Sequence, residues 1–171
     1  MIALGHAART GKDALAEILV RDHGFTRIAF ADALRSVVYD SNPKVRELVD
    51  RMGWDGAKVV HPSVRQALID VGNACRRHIA QDIWIRAVAE QVAPDSRIVV
   101  PDLRYPNEFE WASAVGCTVK VIRPGVDPLP NVADQALVGE TRWTHTIHND
   151  GSLEDLAVAA KKLVSTLSLE Q

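Results

Sequence analysis

The residues with the clearest chemical capacity stand together near the start of the chain: Arg9-Thr10-Gly11-Lys12-Asp13. They lie between a short apolar run, Ile2-Ala3-Leu4-Gly5, and a stretch with Leu15, Ile18 and Leu19 at helical spacing. A strand, a glycine-containing loop and a helix start are the parts that hold a nucleoside triphosphate. Backbone N–H groups turn inward, the helix terminus favours negative charge, and a lysine ammonium reaches over the oxygens. On this reading Gly11 lets the backbone approach the phosphates and Lys12 bridges the β- and γ-phosphates. Two positions depart from the usual motif. His6 stands where its first glycine belongs, with Gly5 one place too early, and Asp13 replaces the Ser or Thr that would hold magnesium. A carboxylate is also a hard oxygen ligand, directly or through water. A glycine turn with a solvated lysine is the plainer alternative.

A second acid, Asp102, ends the apolar run Ile98-Val99-Val100-Pro101. An acid at the C-terminal edge of a parallel strand lies where ligands bind in open α/β sheets, and it could order a metal-bound water. A turn-capping aspartate before a helix would look the same. Just beyond it, Arg104 could clamp a phosphate. Glu108 could hold Arg104 or a sugar hydroxyl, or only favour the helix start by its charge. Phosphoryl transfer needs alignment and positive charge more than covalent help. Arg9, Arg35, Arg104, Arg123 and Arg142 are candidates for that charge, because a guanidinium grips a phosphate face in two places. Trp84 could stack on a base or belong to the core. His145 and His148 lack a third ligand nearby, so they are not read as a metal site.

These groups need a frame. The pattern predicts a strand over Ile2–Gly5, a helix from Gly11 to about Arg21, and a second strand over Thr26–Phe30. A helix starts after Asp32. Further helices run from Pro43 to Arg51, where Gly53-Trp54-Asp55-Gly56 breaks the pattern, from Pro62 through Cys75, and from Ile83 to Val92. A strand over Arg97–Asp102, a helix closed by Gly116, a strand over Thr118–Ile122, a short strand over Thr146–His148 and a closing helix capped by Ser152 complete the order. Residues 124 to 144 hold several prolines and little periodicity, which suggests a functional loop or lid. Strands alternating with helices imply an α/β fold with a five-stranded parallel sheet flanked by helices.

Length and composition bound the reading. The 171 residues suit one domain spanning 1–171, with 47% hydrophobic and 25% charged residues. The net charge of −2 gives no basic footprint for duplex nucleic acid. No apolar run approaches a bilayer span, and the first residues carry no basic and apolar leader, so neither a membrane nor secretion is expected. Cys75 and Cys117 are read as buried thiols in a reducing compartment, which points to the cytoplasm. Self-association is left open.

Five blocks occur in a telling order: Arg9-Thr10-Gly11-Lys12-Asp13, Phe30-Ala31-Asp32-Ala33-Leu34-Arg35, Asp82-Ile83-Trp84-Ile85, Val100-Pro101-Asp102-Leu103-Arg104-Tyr105-Pro106-Asn107-Glu108 and Asn149-Asp150-Gly151. Together they resemble the bacteriophage deoxynucleoside monophosphate kinases, relatives of adenylate kinase with a P-loop NTPase fold. The resemblance spans nearly the whole chain. It implies transfer of the ATP γ-phosphoryl group to a deoxynucleoside monophosphate, with Mg²⁺ as cofactor and small-molecule nucleotides as the only ligands, in the cytoplasm of a host if the protein is phage-encoded. It implies that Ala8, Arg9, Thr10, Gly11, Lys12 and Asp13 bind the ATP phosphates, with Asn149, Asp150 and Gly151 near the adenine. Asp32, Arg35, Arg65, Arg77, Trp84, Arg104 and Glu108 would serve the acceptor within a helical region 32–93, under a lid 124–144. Lys12, Arg9, Asp102, Arg104 and Arg123 would carry catalysis, and Asp13 and Asp102 the metal. Ile69 stands where a glutamine is expected for base recognition. The rivals are a metabolite kinase of the dephospho-coenzyme A or phosphomevalonate type, and a nucleotide-binding module without catalysis.

Overall fold

The computed structural model describes residues 1–93 and 96–169, with nothing stated of the side chains of 168 and 169. In chain order the elements are β1 (Ile2–Gly5), α1 (Lys12–His23), β2 (Thr26–Arg27), α2 (Phe30–Ser41), α3 (Pro43–Val60), α4 (Pro62–His78), α5 (Ile83–Ala89), β3 (Ile98–Leu103), α6 (Pro106–Val115), β4 (Cys117–Ile122), α7 (Val132–Gln135), β5 (His145–His148) and α8 (Leu153–Leu169). They form two compact units, one of Met1–Ala29 with Gln91–Gln171 and the other of Phe30–Glu90.

The first unit is built on a five-stranded sheet in the order β2-β3-β1-β4-β5. Every pairing is parallel. β1 is central, with Ile2 opposite Val99 on one side and Cys117 on the other. A strand covered on both faces needs apolar residues at every position rather than at alternate ones, and all four residues of β1 are buried. On one face Leu15, Leu19, Leu156 and Leu163 pack over Ile2, Leu4, Val99, Val119 and Val121. Burying each such side chain contributes about 1.5–3 kcal/mol. Elsewhere in the unit Phe109 of α6 meets Trp143 edge-to-face, with ring centroids 4.9 Å apart. The Trp143 ring lies where a side chain on Gly5 would have to go.

The second unit is helical. Val38, Val45, Ala57 and Val64 form its centre, with Leu34, Leu48, Trp54 and Leu68 packed around them. α3 starts at Pro43, its first turn capped by the Asn42 side chain, which accepts from the Val45 amide at 3.2 Å.

The structure adjusts several expected boundaries. The second strand is only Thr26–Arg27, and helix begins at Phe30 rather than after Asp32. Ile28 still donates to Val99 O at 3.1 Å, but a run of apolar residues this short fits either period. The glycine pair after Arg51 does not end α3. Gly53 alone leaves the helical region (φ 70°, ψ 169°) and the helix resumes to Val60 as a kinked element. α5 stops at Ala89, short of Val92, and β3 runs one residue past Asp102 to Leu103. The 124–144 segment contains a short helix, α7. Cys117 is buried but Cys75 is only half-buried. Among the described residues no helix is long and apolar enough to cross a membrane.

Candidate functional site

The turn after β1 is shaped by three residues with left-handed backbone: His6 (φ 87°), Arg9 (φ 62°) and Gly11 (φ 97°). His6 thus holds a backbone angle that glycine adopts without strain. This costs about 1–2 kcal/mol for a residue with a Cβ. Its Nδ1 is buried with no hydrogen-bond partner among the described residues. Burial, and then the charges of Lys120 and Lys12, hold its pKa below the ordinary histidine value. His6→Gly should therefore raise stability by about 1 kcal/mol, a rise in Tm of about 2–4 °C in a chain of this size. A thermal melt showing an unchanged or lower Tm would mean that imidazole packing outweighs the backbone strain.

Within the loop the Thr10 hydroxyl donates to Ala7 O at 3.2 Å, and the buried Lys12 ammonium also donates to Ala7 O. The Lys12 Nζ lies 3.5 Å from Thr10 Oγ1. From the far end of the sheet, just after β5, Asn149 donates through Nδ2 to Thr10 O at 2.9 Å. A Cβ on Gly11 would collide with that amide, so Gly11 is required for space as well as for its backbone angle. Gly11 is the N-cap residue of α1 and makes no side-chain capping bond, which leaves the first-turn amides to an anion.

Lys12 is 5% exposed. Its pKa falls from the ordinary 10.5 to about 8, first through burial and then through the Arg104 charge, while Asp13, Asp134 and Asp102 oppose the fall. Three of the charged groups expected around a polyphosphate, Arg104, Asp13 and Asp102, therefore act on the lysine. Asp13 is exposed in the first turn of α1, and Asp102 is half-buried near the end of β3. Among the described residues no three His, Cys, Asp or Glu side chains cluster as a metal site. Two carboxylates near a phosphate loop nonetheless suit Mg²⁺, which keeps several waters and takes one or two carboxylates plus phosphate oxygens.

Arg104 follows β3 and is fixed at both ends. Its backbone N–H donates to Glu108 Oε2 at 2.9 Å, as does that of Tyr105 at 3.0 Å. Its guanidinium Nη1 donates to Asp134 Oδ1 at 2.7 Å. Glu108 is 2% exposed, so of its open roles it serves the start of α6 and the Arg104 backbone. Asp134, not among the residues expected from the sequence, accepts through Oδ2 from the amides of Ala8 (3.0 Å) and Leu129 (3.1 Å). The signal that could have found it is the Asn131-Val132-Ala133-Asp134 run, since Asn131 Oδ1 caps α7 by accepting from the Asp134 amide at 3.0 Å.

Arg9 and Arg123 line a cleft of about 520 Å³ together with the 125–130 segment. Both arginine side chains are exposed. Arg142 is committed elsewhere, to Glu140 at 2.6 Å and Glu110 at 2.7 Å. Asp150 and Gly151 are exposed beyond β5.

In the helical unit Asp32 and Arg35 form an ion pair of 3.3 Å. With Ser36, Tyr39, Asp40 and Trp54 they line a cleft of about 320 Å³. Arg65 and Arg77 are exposed on α4. Trp84 is 4% exposed, which makes it core in this structure, and its indole N–H has no partner among the described residues.

Superposition on solved structures relates this arrangement to a known fold. Shikimate kinase from Aquifex aeolicus matches with a TM-score of 0.51, covering 98% of this chain and 95% of that one at 10% identity. The chain has the α/β P-loop fold of that kinase. TT1252 from Thermus thermophilus matches with a TM-score of 0.49 at 20% identity, covering 97% and 96%. No protein-family model and no curated protein matches the sequence.

Proposed function

We propose that the protein is an ATP-dependent kinase that phosphorylates a deoxynucleoside monophosphate to the diphosphate, in the cytoplasm. One observation carries the phosphoryl-transfer part: a buried lysine follows a glycine at a helix start, in a loop closed on itself between β1 and α1, with a fixed arginine at the neighbouring strand end. The P-loop fold supports it. The monophosphate acceptor rests on the resemblance of the five sequence blocks, above all Asp102-Leu103-Arg104-Tyr105-Pro106-Asn107-Glu108.

In this reading a phosphate oxygen of the acceptor attacks the γ-phosphorus and ADP leaves. The nucleophile is already ionised, so no strong base is needed. Ala8 to Asp13 hold the ATP phosphates, and Lys12, Arg104, Arg9 and Arg123 answer the charge that spreads over the moving group. Asp13 and Asp102 would hold Mg²⁺, which when bound would supply neutralising charge to the phosphates. Asn149 keeps the loop in shape, with Asp150 and Gly151 toward the adenine. Residues 32–93 form the acceptor region, with Asp32, Arg35, Arg65 and Arg77 as its polar contacts. Residues 124–144 serve as the lid that excludes water.

The likeness to shikimate kinase favours a second reading in which the acceptor is a hydroxyl of a non-nucleotide metabolite. A coupled assay of ADP release decides between them. The panel contains the four deoxynucleoside monophosphates, ribonucleotides, shikimate and phosphorylated metabolites, with Lys12→Ala as control. Acceptor-dependent ADP release with one or more deoxynucleoside monophosphates is expected. Release only with a non-nucleotide would replace the acceptor. Equal inertness of wild type and Lys12→Ala with every acceptor, alongside ATP binding, would leave a nucleotide-binding module.

A further inference from the structure

Asp134 has a side chain 1% exposed to solvent. Burying a carboxylate is a poor route to stability, because desolvation offsets what the ion pair returns. Its partners suggest another reason for it. Oδ2 accepts from the Ala8 amide, inside the loop, and from the Leu129 amide of its own segment. Oδ1 accepts from Arg104 Nη1. Two of the three partners are groups assigned to the phosphates, and they come from different elements, the turn after β1 and the end of β3. The Arg104 Nε and Nη2 donors have no partner among the described residues, so the pairing orients the guanidinium without using it up. The carboxylate itself cannot wander, since the Asn131 cap and the Leu129 amide hold its segment from the other side.

We propose that Asp134 is a positioning residue for the polyphosphate: its carboxylate joins the loop amide of Ala8 to the guanidinium of Arg104 and sets the place and heading of that guanidinium. This rests on the phosphate-loop reading above. Burial alone would raise the carboxyl's pKa, but the two amide bonds and then the charges of Arg104 and Lys12 outweigh it, so the group stays ionised. A carboxylate in this place has a second conceivable role, as a stand-in for phosphate that must leave when ATP arrives. That role predicts the opposite sign. Leaving would strand the Leu129 amide and break the contacts that fix the 129–134 turn, which favours positioning.

The test measures MgATP affinity by titration calorimetry and phosphoryl transfer in a single turnover. Wild type, Asp134→Asn, Asp134→Ala, Arg104→Ala and the Asp134→Ala/Arg104→Ala double variant are compared, each checked for folding by its melt. Asp134→Ala is expected to slow transfer about 30- to 100-fold, as misplaced catalytic groups do, and to weaken ATP binding less. Asp134→Asn keeps the volume and an acceptor oxygen, and serves if the alanine variant does not fold. The double variant should be slower than Arg104→Ala by far less than the separate loss of Asp134→Ala, because the two residues share the contact that places the guanidinium. A residue that merely stabilises the fold would add its own loss.

Tighter ATP binding in Asp134→Ala would overturn the proposal in favour of the stand-in role. Wild-type transfer rates in a folded variant, or additive losses in the double variant, would also overturn it while leaving the kinase reading intact. Failure of the wild type itself to bind ATP would sink the phosphate-loop reading, and this proposal with it.

Discussion

Lys12→Met is expected to abolish phosphoryl transfer, by about a thousandfold, and at the same time to make the protein more stable. The two effects share one cause. The ammonium is buried, and with its pKa near 8 rather than 10.5 it is held in a site that disfavours its charge. That difference corresponds to about 3 kcal/mol. Below pH 8 the lysine is protonated both folded and unfolded, and the folded state carries the whole cost. Between pH 8 and 10.5 the unfolded chain binds more protons, so stability rises with pH, and above 10.5 the cost is gone. Methionine keeps the reach of the side chain and removes the charge. It forfeits the bond to Ala7 O, worth about 1 kcal/mol, so the expected net gain at pH 7 is about 1–2 kcal/mol. Denaturant titration at pH 7 and pH 10.5 checks it: the gain should be present at the first and largely absent at the second. An arriving polyphosphate reverses the balance, because its charge restores a partner to the ammonium. ATP binding between pH 8 and 9 should then take up a proton, which calorimetry in buffers of different ionisation enthalpy detects. Lys12→Met with wild-type stability at pH 7 would mean that the ammonium is better solvated than its burial implies.

The parts of the molecule legible in the sequence are those governed by local pattern. The near-continuous apolar runs Ile2–Leu4 and Ile98–Val100 announce strands covered on both faces, and the parallel five-stranded sheet follows from their alternation with helices. Gly11 and Lys12 mark the loop through their setting between an apolar strand and a helix, because the motif's own spacing is broken at His6. Less legible was what depends on contacts far apart in sequence. His6 reads as a fault in the motif, yet its backbone adopts a positive φ of the kind that favours glycine. That is a property of the closed turn and not of the residue type. Asn149 reads as a loop residue near a base, while its amide locks the Thr10 carbonyl across 139 positions. Asp134 sits in a proline-rich segment without periodicity, where an acid usually faces water, and only the approach of Ala8 and Arg104 shows its use. Trp54 follows the kink at Gly53 and lines a cleft with Tyr39, Asp32 and Arg35, where the sequence shows only a break in the helical pattern.

Arg104→Ala should lower the transfer rate about a thousandfold while changing ATP affinity much less. The argument starts from how firmly the residue is held. Glu108 secures its backbone and Asp134 secures one guanidinium nitrogen, so little freedom remains to be lost when the charge is needed. Among the charges acting on Lys12, that of Arg104 is the largest. Two cations that repel one another both gain when a polyanion lies between them, and they gain most when charge spreads over a moving phosphoryl group. Lysine cannot stand in, since a single ammonium cannot meet Asp134 and a phosphate oxygen with the same fixed fork. Arg104→Lys should therefore recover less than a tenth of the rate. The alanine variant has a second signature that a loss of folding would not imitate. With the guanidinium gone, the Lys12 pKa should rise above 8, and the alkaline limit of ATP binding should move up with it. A pH series of ATP affinity for wild type and Arg104→Ala shows both effects. A rate within threefold of wild type, or an alkaline limit that stays where it was, would separate Arg104 from the phosphates.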